Sequence, residues 1–141
     1  METQQKNIIT VENTIDASVE KVWDYFTKPE HITKWNNASD DWFTPHAEND
    51  LRLGGNFVYR MEAKDGSFGF DFGGTYDAVD NLAYIEYTIG DGRKVQVTFA
   101  SDGNKTKLTE KFEAENMNSV ELQKNGWQAI LDNFKKYVEA N

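Results

Sequence analysis

An amphipathic segment at the end of the chain, preceded by strands of large side chains, most constrains what this sequence can fold into. The apolar spacing over residues 119–139 predicts one long helix. The apolar face of that helix carries Trp127, Ile130, Leu131, Phe134 and Val138. Large residues also alternate along three upstream segments, namely Phe57, Tyr59 and Met61, then Phe68, Phe70 and Phe72, then Val95, Val97 and Phe99. This pattern predicts a curved sheet whose aromatic face is covered by one helix, with a cavity enclosed between them.

The remaining segments predict an α+β fold of about seven strands, with two short helices after the first strand. Alternation and turn residues indicate strands at residues 8–15, 42–49, 56–62, 67–79, 83–89, 94–100 and 105–113. Turns that join neighbouring strands into an antiparallel meander are predicted at Asp65-Gly66, Asp91-Gly92 and Asp102-Gly103. Asp16 or Ser18 is expected to cap the first short helix, and Pro29 to open the second over residues 29–34. Asn118 or Ser119 is expected to cap the long last helix.

Glycines at two sites need a structural reason. Gly73 and Gly74 lie inside the predicted strand 67–79 and are expected to kink it. Gly126 lies inside the long helix, where glycine costs about 1 kcal/mol relative to alanine. It either lets the helix approach the sheet closely or leaves room for a ligand beneath the helix.

Composition restricts the class of protein. The 141 residues fit one domain, predicted to span residues 1–141 with its core at about residues 8–139. The chain has no cysteine, which excludes disulfides, thiolate nucleophiles and cysteine-based metal sites. A formal net charge of −9 argues against nucleic acids and anionic membranes as partners. The sequence has neither a membrane-spanning apolar run nor an apolar N-terminal signal, so we expect a cytoplasmic protein without cofactor or metal.

Short strings in a fixed order extend along nearly the whole chain, from about residue 8 to residue 138. They are Val22-Trp23, Pro29-Glu30, Trp35, Asp50-Leu51-Arg52-Leu53-Gly54-Gly55, Asp65-Gly66-Ser67, Gly74-Thr75-Tyr76, Asp91-Gly92-Arg93, Thr109-Glu110-Lys111-Phe112 and Gly126-Trp127. Their order resembles the SRPBCC superfamily, and within it the family named after the C-terminal domain of the activator of heat-shock protein 90 ATPase. The resemblance implies the helix-grip fold of START lipid-binding domains and the birch-pollen allergen, with a hydrophobic cavity. Many relatives carry two adjacent tryptophans where this chain has Trp35-Asn36, which implies a more polar pocket rim here.

Glu110 is the main candidate for chemistry. It lies between Leu108 and Phe112 on one face of its strand, so a concave face would direct its carboxyl into the cavity. Burial without a cation would raise its pKa and suit a general acid or base, whereas hydrogen bonds to neighbours would make it purely structural. His46 is a weaker catalytic candidate at the cavity mouth, and His31 is expected on the solvated surface. Neither histidine has a partner at metal-ligand spacing.

Other polar residues are assigned to the two faces of the sheet. The hydroxyls expected to point inward belong to Tyr59, Tyr76, Tyr84 and Tyr87. Arg60, Asp71 and Glu86 are expected on the outer face, where they can form cross-strand pairs.

Three functions remain open from the sequence. The first is binding of a small hydrophobic or aromatic ligand between the sheet and the last helix, with Glu110 as polar anchor. The residues expected to contact that ligand are Trp35, Phe57, Tyr59, Met61, Phe70, Phe72, Phe99, Glu110, Phe112, Trp127, Ile130, Leu131 and Phe134. The second, implied by the superfamily, is an enzyme of polyketide-cyclase or hydrolase type that uses Glu110 as acid or base. The third is a stress- or chaperone-linked protein-interaction module, which an exposed apolar patch outside the cavity would favour.

Overall fold

A seven-stranded antiparallel sheet wraps around one long helix. The computed structural model of the chain describes residues 7–141, so the N-terminal residues, where a secretory signal was not expected, lie largely outside the description. The strands are β1 (Ile8–Ile15), β2 (Trp42–Asn49), β3 (Asn56–Ala63), β4 (Gly69–Asp80), β5 (Tyr84–Ile89), β6 (Lys94–Asp102) and β7 (Lys105–Glu113). The helices are α1 (Val19–Thr27), α2 (Pro29–Trp35) and α3 (Val120–Ala140). This architecture confirms the predicted α+β helix-grip fold.

The sheet has the order β1-β7-β6-β5-β4-β3-β2, so sequential hairpins build most of it. β1 is the exception, because it pairs with β7 at the far end of the strand series. β2 forms the opposite edge and contains Pro45, which lacks the N–H that an inner strand would need. The pairing of β2 with β3 shifts register between Phe43 and His46.

Serine caps determine where two of the helices begin. The Ser18 hydroxyl accepts a hydrogen bond from the Lys21 backbone N–H at 3.3 Å, at the start of α1. The Ser119 hydroxyl accepts from the Leu122 N–H at 3.0 Å, at the start of α3. Both serines satisfy backbone donors that would otherwise lack partners in the first helical turn.

The core lies between the concave face of the sheet and the three helices. Phe134 on α3 is fully buried, with its ring 4.8 Å from Trp35 of α2 and 5.4 Å from Phe26 of α1. About two turns earlier, Trp127 stacks on Phe112 of β7 at 3.9 Å. These aromatic contacts hold α3 against the two short helices at one point and against the sheet at another.

The two glycines of β4 allow close approach of the neighbouring strands. A Cβ atom on Gly73 would lie 2.6 Å from the Phe57 carbonyl oxygen, and one on Gly74 would lie 2.4 Å from that of Thr88. The pairing continues through both glycines, and the irregularity of β4 comes later, between Tyr76 and Ala78. Crowding by adjacent backbone therefore excludes a side chain at both positions, and a kink at Gly73-Gly74 stays a prediction.

Gly126 on α3, unlike the two glycines of β4, has open space where a side chain would lie. A Cβ atom at this position would meet no heavy atom within 4 Å, so the helix does not approach the sheet closely here. The close-contact explanation of Gly126 is therefore wrong, and space remains beside this turn of α3.

These environments predict opposite effects for two alanine substitutions. Gly126→Ala is expected to raise the free energy of unfolding by about 0.5–1 kcal/mol, because alanine is the better helix former and nothing obstructs its methyl group. Gly74→Ala is expected to lower it by about 1–3 kcal/mol, because the methyl group overlaps the Thr88 carbonyl. Urea unfolding of both variants tests the pair, and a Gly74→Ala protein as stable as the original would show that the strands separate at little cost.

Candidate functional site

A cavity of about 200 Å³ lies between the concave face of the sheet and the helices. Ten of the thirteen residues expected to contact a ligand line it: Trp35, Phe57, Tyr59, Met61, Phe70, Phe72, Glu110, Trp127, Ile130 and Leu131. Its walls are thus mainly aromatic and aliphatic. A cavity of this composition with few polar groups is typical of small-molecule sites.

The other three expected contact residues do not line the cavity. Phe112 lies behind Trp127 and stacks on it. Phe134 is enclosed by the aromatic rings of α1 and α2, and Phe99 packs against Trp23 at 4.9 Å. All three are buried on the predicted face, but other side chains separate them from the open space.

Seven lining residues were not among the expected contacts: Phe26, Thr27, Asn36, Asn49, Tyr76, Ile85 and Tyr87. Ile85, Tyr87 and Ile89 occupy every second position of β5 and so share its buried face, which means that strand periodicity could have identified Ile85 and Tyr87. Thr27 is the last residue of α1, and Asn36 directly follows α2. No local pattern in the sequence marks either of them as a cavity residue.

Glu110 lines the cavity from β7, the second strand of the sheet, next to the edge strand β1. On β7 it lies between Val11 of β1 and Val97 of β6, so its cross-strand neighbours are apolar. Burial raises the pKa of the Glu110 carboxyl to about 8. Within residues 7–141, no side chain forms a hydrogen bond or ion pair with this carboxyl. The cavity therefore contains a buried carboxyl without a partner in the described protein.

Tyrosine hydroxyls on the neighbouring strands complete the polar part of the cavity. The Tyr59 hydroxyl donates to that of Tyr76, which in turn donates to the Asn49 side-chain oxygen. The Asn49 amide then donates to the Thr27 carbonyl at 2.6 Å, which determines the orientation of the amide. This hydrogen-bonded chain satisfies the polar groups on one side of the cavity.

Tyr87 is outside that chain. The Tyr87 side chain is buried and lines the cavity, and its hydroxyl forms no hydrogen bond within the part of the chain that the structure describes. Burial, and in second place the charge of Glu110, raises the pKa of Tyr87, and Glu110 also contributes to the raised pKa of Tyr59. The Glu110 carboxyl and the Tyr87 hydroxyl are thus two neighbouring buried groups that are open to a further partner.

The two histidines lie away from this site. The His46 Nε2 atom is 3.6 Å from a carboxylate oxygen of Glu48, and both side chains are exposed, so the hypothetical pair of His46 and Glu110 does not form. The expectation that His31 is solvated is wrong, because its ring stacks on Tyr25 at 3.9 Å and its Nδ1 lies 2.8 Å from the Tyr137 hydroxyl.

The expectation that Tyr84 points into the cavity is also wrong. Its hydroxyl bonds to Glu86 at 3.4 Å, on the outer face of the sheet. Arg60 lies on that face as expected, with its guanidinium 2.9 Å from Glu62 and 3.5 Å from Asp71. Residues of one strand that are an odd number apart point to opposite faces, so Tyr84 and Tyr87 could not both point inward.

An aromatic patch of Trp42, Phe68 and Phe70 lies at the cavity mouth. The rings of Phe68 and Phe70 each lie about 6 Å from that of Trp42. Phe68 is 61% exposed and Phe70 is 38% exposed, although Phe70 also lines the cavity. The patch therefore joins the interior of the cavity to the surface.

A known protein family matches most of the chain. A family model described as Activator of Hsp90 ATPase homolog 1-like protein matches residues 16–139. The chain belongs to this family. The match confirms the resemblance to this branch of the SRPBCC superfamily, whose fold commonly binds ligands or partners. No protein of curated function matches the chain.

Solved structures of similar proteins share the fold. The AHSA1-like protein from Aeromonas hydrophila is 45% identical over 95% of this chain and 93% of its own, with a TM-score of 0.90. A protein from Cytophaga hutchinsonii is 55% identical over 94% and 92% of the two chains, with a TM-score of 0.82. A protein from Chromobacterium violaceum, 23% identical over 96% and 99%, has a TM-score of 0.85 and shares the fold.

Two further features are absent from residues 7–141. None of the three helices combines the length and apolar character needed to cross a membrane. No group of three or more His, Cys, Asp or Glu side chains in that range is arranged to hold a metal ion.

Proposed function

We propose that this family member binds a small, mainly apolar molecule in the cavity between the sheet and α3, with Glu110 as its polar anchor. The observation that carries the proposal is the Glu110 carboxyl, buried in the cavity wall and unpaired within the described residues. An unsatisfied buried polar group costs about 1–3 kcal/mol, and more when it is charged. A ligand that bonds to the carboxyl would recover part of that cost.

The volume limits the size of the ligand. An apolar cavity of about 150 Å³ accommodates benzene. The cavity here, at about 200 Å³, therefore suits a molecule with one ring and a short substituent. Adjacent aromatic walls, such as Phe57 with Tyr87 at 4.8 Å and Phe72 with Trp127 at 6.2 Å, favour a flat, apolar ligand body.

A two-dimensional amide NMR titration with single-ring aromatic and aliphatic compounds tests the proposal. The Trp127 indole signal and the amide signals around Glu110 are expected to shift together, because both residues line the cavity. Ile130→Phe should weaken binding by about tenfold or more, because the larger side chain occupies ligand space. Leu122→Phe on the same helix is the matched control, since Leu122 is 59% exposed and does not line the cavity.

The outcome that would overturn the proposal is equally specific. If compounds of this size leave the cavity signals unchanged in the unmodified protein, the cavity is only a packing space. The exposed aromatic patch of Trp42, Phe68 and Phe70 would then favour the protein-interaction function.

Acid–base catalysis is a second candidate, favoured by one observation. Burial raises the pKa of Glu110 to about 8, close to the value that suits a general acid or base at neutral pH. Conversion of a bound compound, followed by NMR over time, would identify an enzyme. Glu110→Gln should abolish that conversion, whereas in a binding protein it should change only the affinity.

A further inference from the structure

The charge of the cavity wall has only one sign. Among its lining residues, all within the described part of the chain, none is Lys, Arg or His, and Glu110 is the one carboxylate. The whole chain carries a formal net charge of −9, which attracts cations toward its surface. A positive group that enters the cavity would therefore meet no repelling charge.

The aromatic walls of the cavity also favour a positively charged ligand. The face of an aromatic ring carries negative potential, and cations are attracted to it, most strongly when they are shielded from water. Phe57 and Tyr59 lie 5.0 Å apart by their ring centroids, and Phe57 and Tyr87 lie 4.8 Å apart. These three rings form one aromatic wall of the same cavity that Glu110 lines.

We propose that the ligand is a protonated amine joined to a single apolar ring or short chain, with its ammonium group at Glu110 and Tyr87. This inference rests on the proposed binding function and specifies its ligand class. The ammonium N–H groups donate to the Glu110 carboxylate and to the Tyr87 hydroxyl oxygen, two groups of cavity-lining residues that form no hydrogen bond within residues 7–141. The apolar part of the ligand packs against Phe72 and Trp127.

The pH dependence of affinity separates the contribution of ligand charge from that of ligand shape. The titratable groups near Glu110 are the hydroxyls of Tyr59, Tyr76 and Tyr87, while β1, β6 and α3 face it with Val11, Val97 and apolar cavity residues. Burial raises the pKa values of all three tyrosines, so Glu110 is the group that ionises between about pH 6 and pH 9. Primary amines stay protonated over most of this range, as lysine does with its pKa of about 10.4.

The test compares phenethylamine with propylbenzene, which has nearly the same shape but no charge. Phenethylamine is expected to bind about tenfold or more tightly at about pH 9, and more tightly at about pH 9 than at about pH 6. Propylbenzene affinity should change less than about twofold over the same range. At about pH 7, calorimetry in two buffers should also detect proton release when the amine binds, because Glu110 must ionise.

Variants of Glu110 and Tyr87 test which group binds the ammonium of the ligand. Glu110→Gln should weaken phenethylamine binding by about tenfold, abolish the proton release and leave propylbenzene binding unchanged. Tyr87→Phe should weaken phenethylamine binding severalfold, and it keeps the proposal testable if the first variant does not fold. Glu121→Gln, which removes the same charge at an exposed position of α3, is the matched control.

Each remaining outcome decides between the two proposals. If propylbenzene binds as tightly as phenethylamine, or if Glu110→Gln leaves amine binding unchanged, the amine inference is overturned and the binding function stands. If neither compound shifts the cavity signals, both proposals are overturned.

Discussion

Replacing Glu110 by Gln is expected to make the protein more stable than the original at about pH 9 and equally stable near pH 4. Burial raises the pKa of this carboxyl from 4.5 to about 8, so the folded protein binds the proton more tightly than the unfolded chain does. The free energy of unfolding therefore falls as pH rises from about 4.5 to about 8. At about 1.4 kcal/mol per pKa unit, the loss reaches at most about 5 kcal/mol.

Urea unfolding of both proteins at several pH values measures this effect. The difference between variant and original cancels the titration of all other groups, so its pH dependence reports Glu110 alone. Glu121→Gln should show no such dependence, because Glu121 is exposed. A constant difference between pH 4 and pH 9 would mean that water or a cation stabilises the ionised carboxylate in the folded protein, and would remove the main support for a ligand anchor.

Phe134→Ala is expected to cost about 3–5 kcal/mol in the free energy of unfolding. The side chain is fully buried and packs against Phe26 and Trp35, which come from the two other helices. Its removal leaves a cavity where α1, α2 and α3 meet, and these rigid rings collapse poorly into such a space. This is a large fraction of the 5–15 kcal/mol that stabilises a typical domain.

Thermal and urea unfolding of Phe134→Ala and Leu122→Ala provide the comparison. Leu122 lies on the same helix but is 59% exposed, so its loss should change stability by no more than about 0.5 kcal/mol. A loss below about 1 kcal/mol in Phe134→Ala would show that the helices rearrange to fill the space.

The fold was predictable because its main patterns are local. Alternation of Val95, Val97 and Phe99 requires a strand with one buried face, and the structure has β6 with these three residues buried. Ser18 and Ser119 mark the helix starts because their hydroxyls satisfy backbone donors a few residues away. Such signals need no knowledge of distant parts of the chain.

The cavity was only partly predictable, since periodicity indicates a face but not the depth of packing on that face. Phe112 and Glu110 share one face of β7, yet Trp127 covers Phe112 while Glu110 lines the open space. Thr27 and Asn49 meet through a hydrogen bond between segments distant in the sequence. His46 follows the register shift of β2 next to Pro45, and alternation alone could not assign its face.

The position of β1 affects the order in which the chain can fold. Its backbone pairs with β7, and the Asn13 side chain donates to the Leu131 carbonyl of α3 at 3.0 Å. β1 therefore has no sheet partner until nearly all of the chain has been synthesised. Contacts between such distant segments slow folding, typically to milliseconds or seconds. A nascent chain meanwhile leaves the apolar residues of β1, which are buried in the folded protein, without their sheet partner, and exposed apolar strands of this kind favour aggregation.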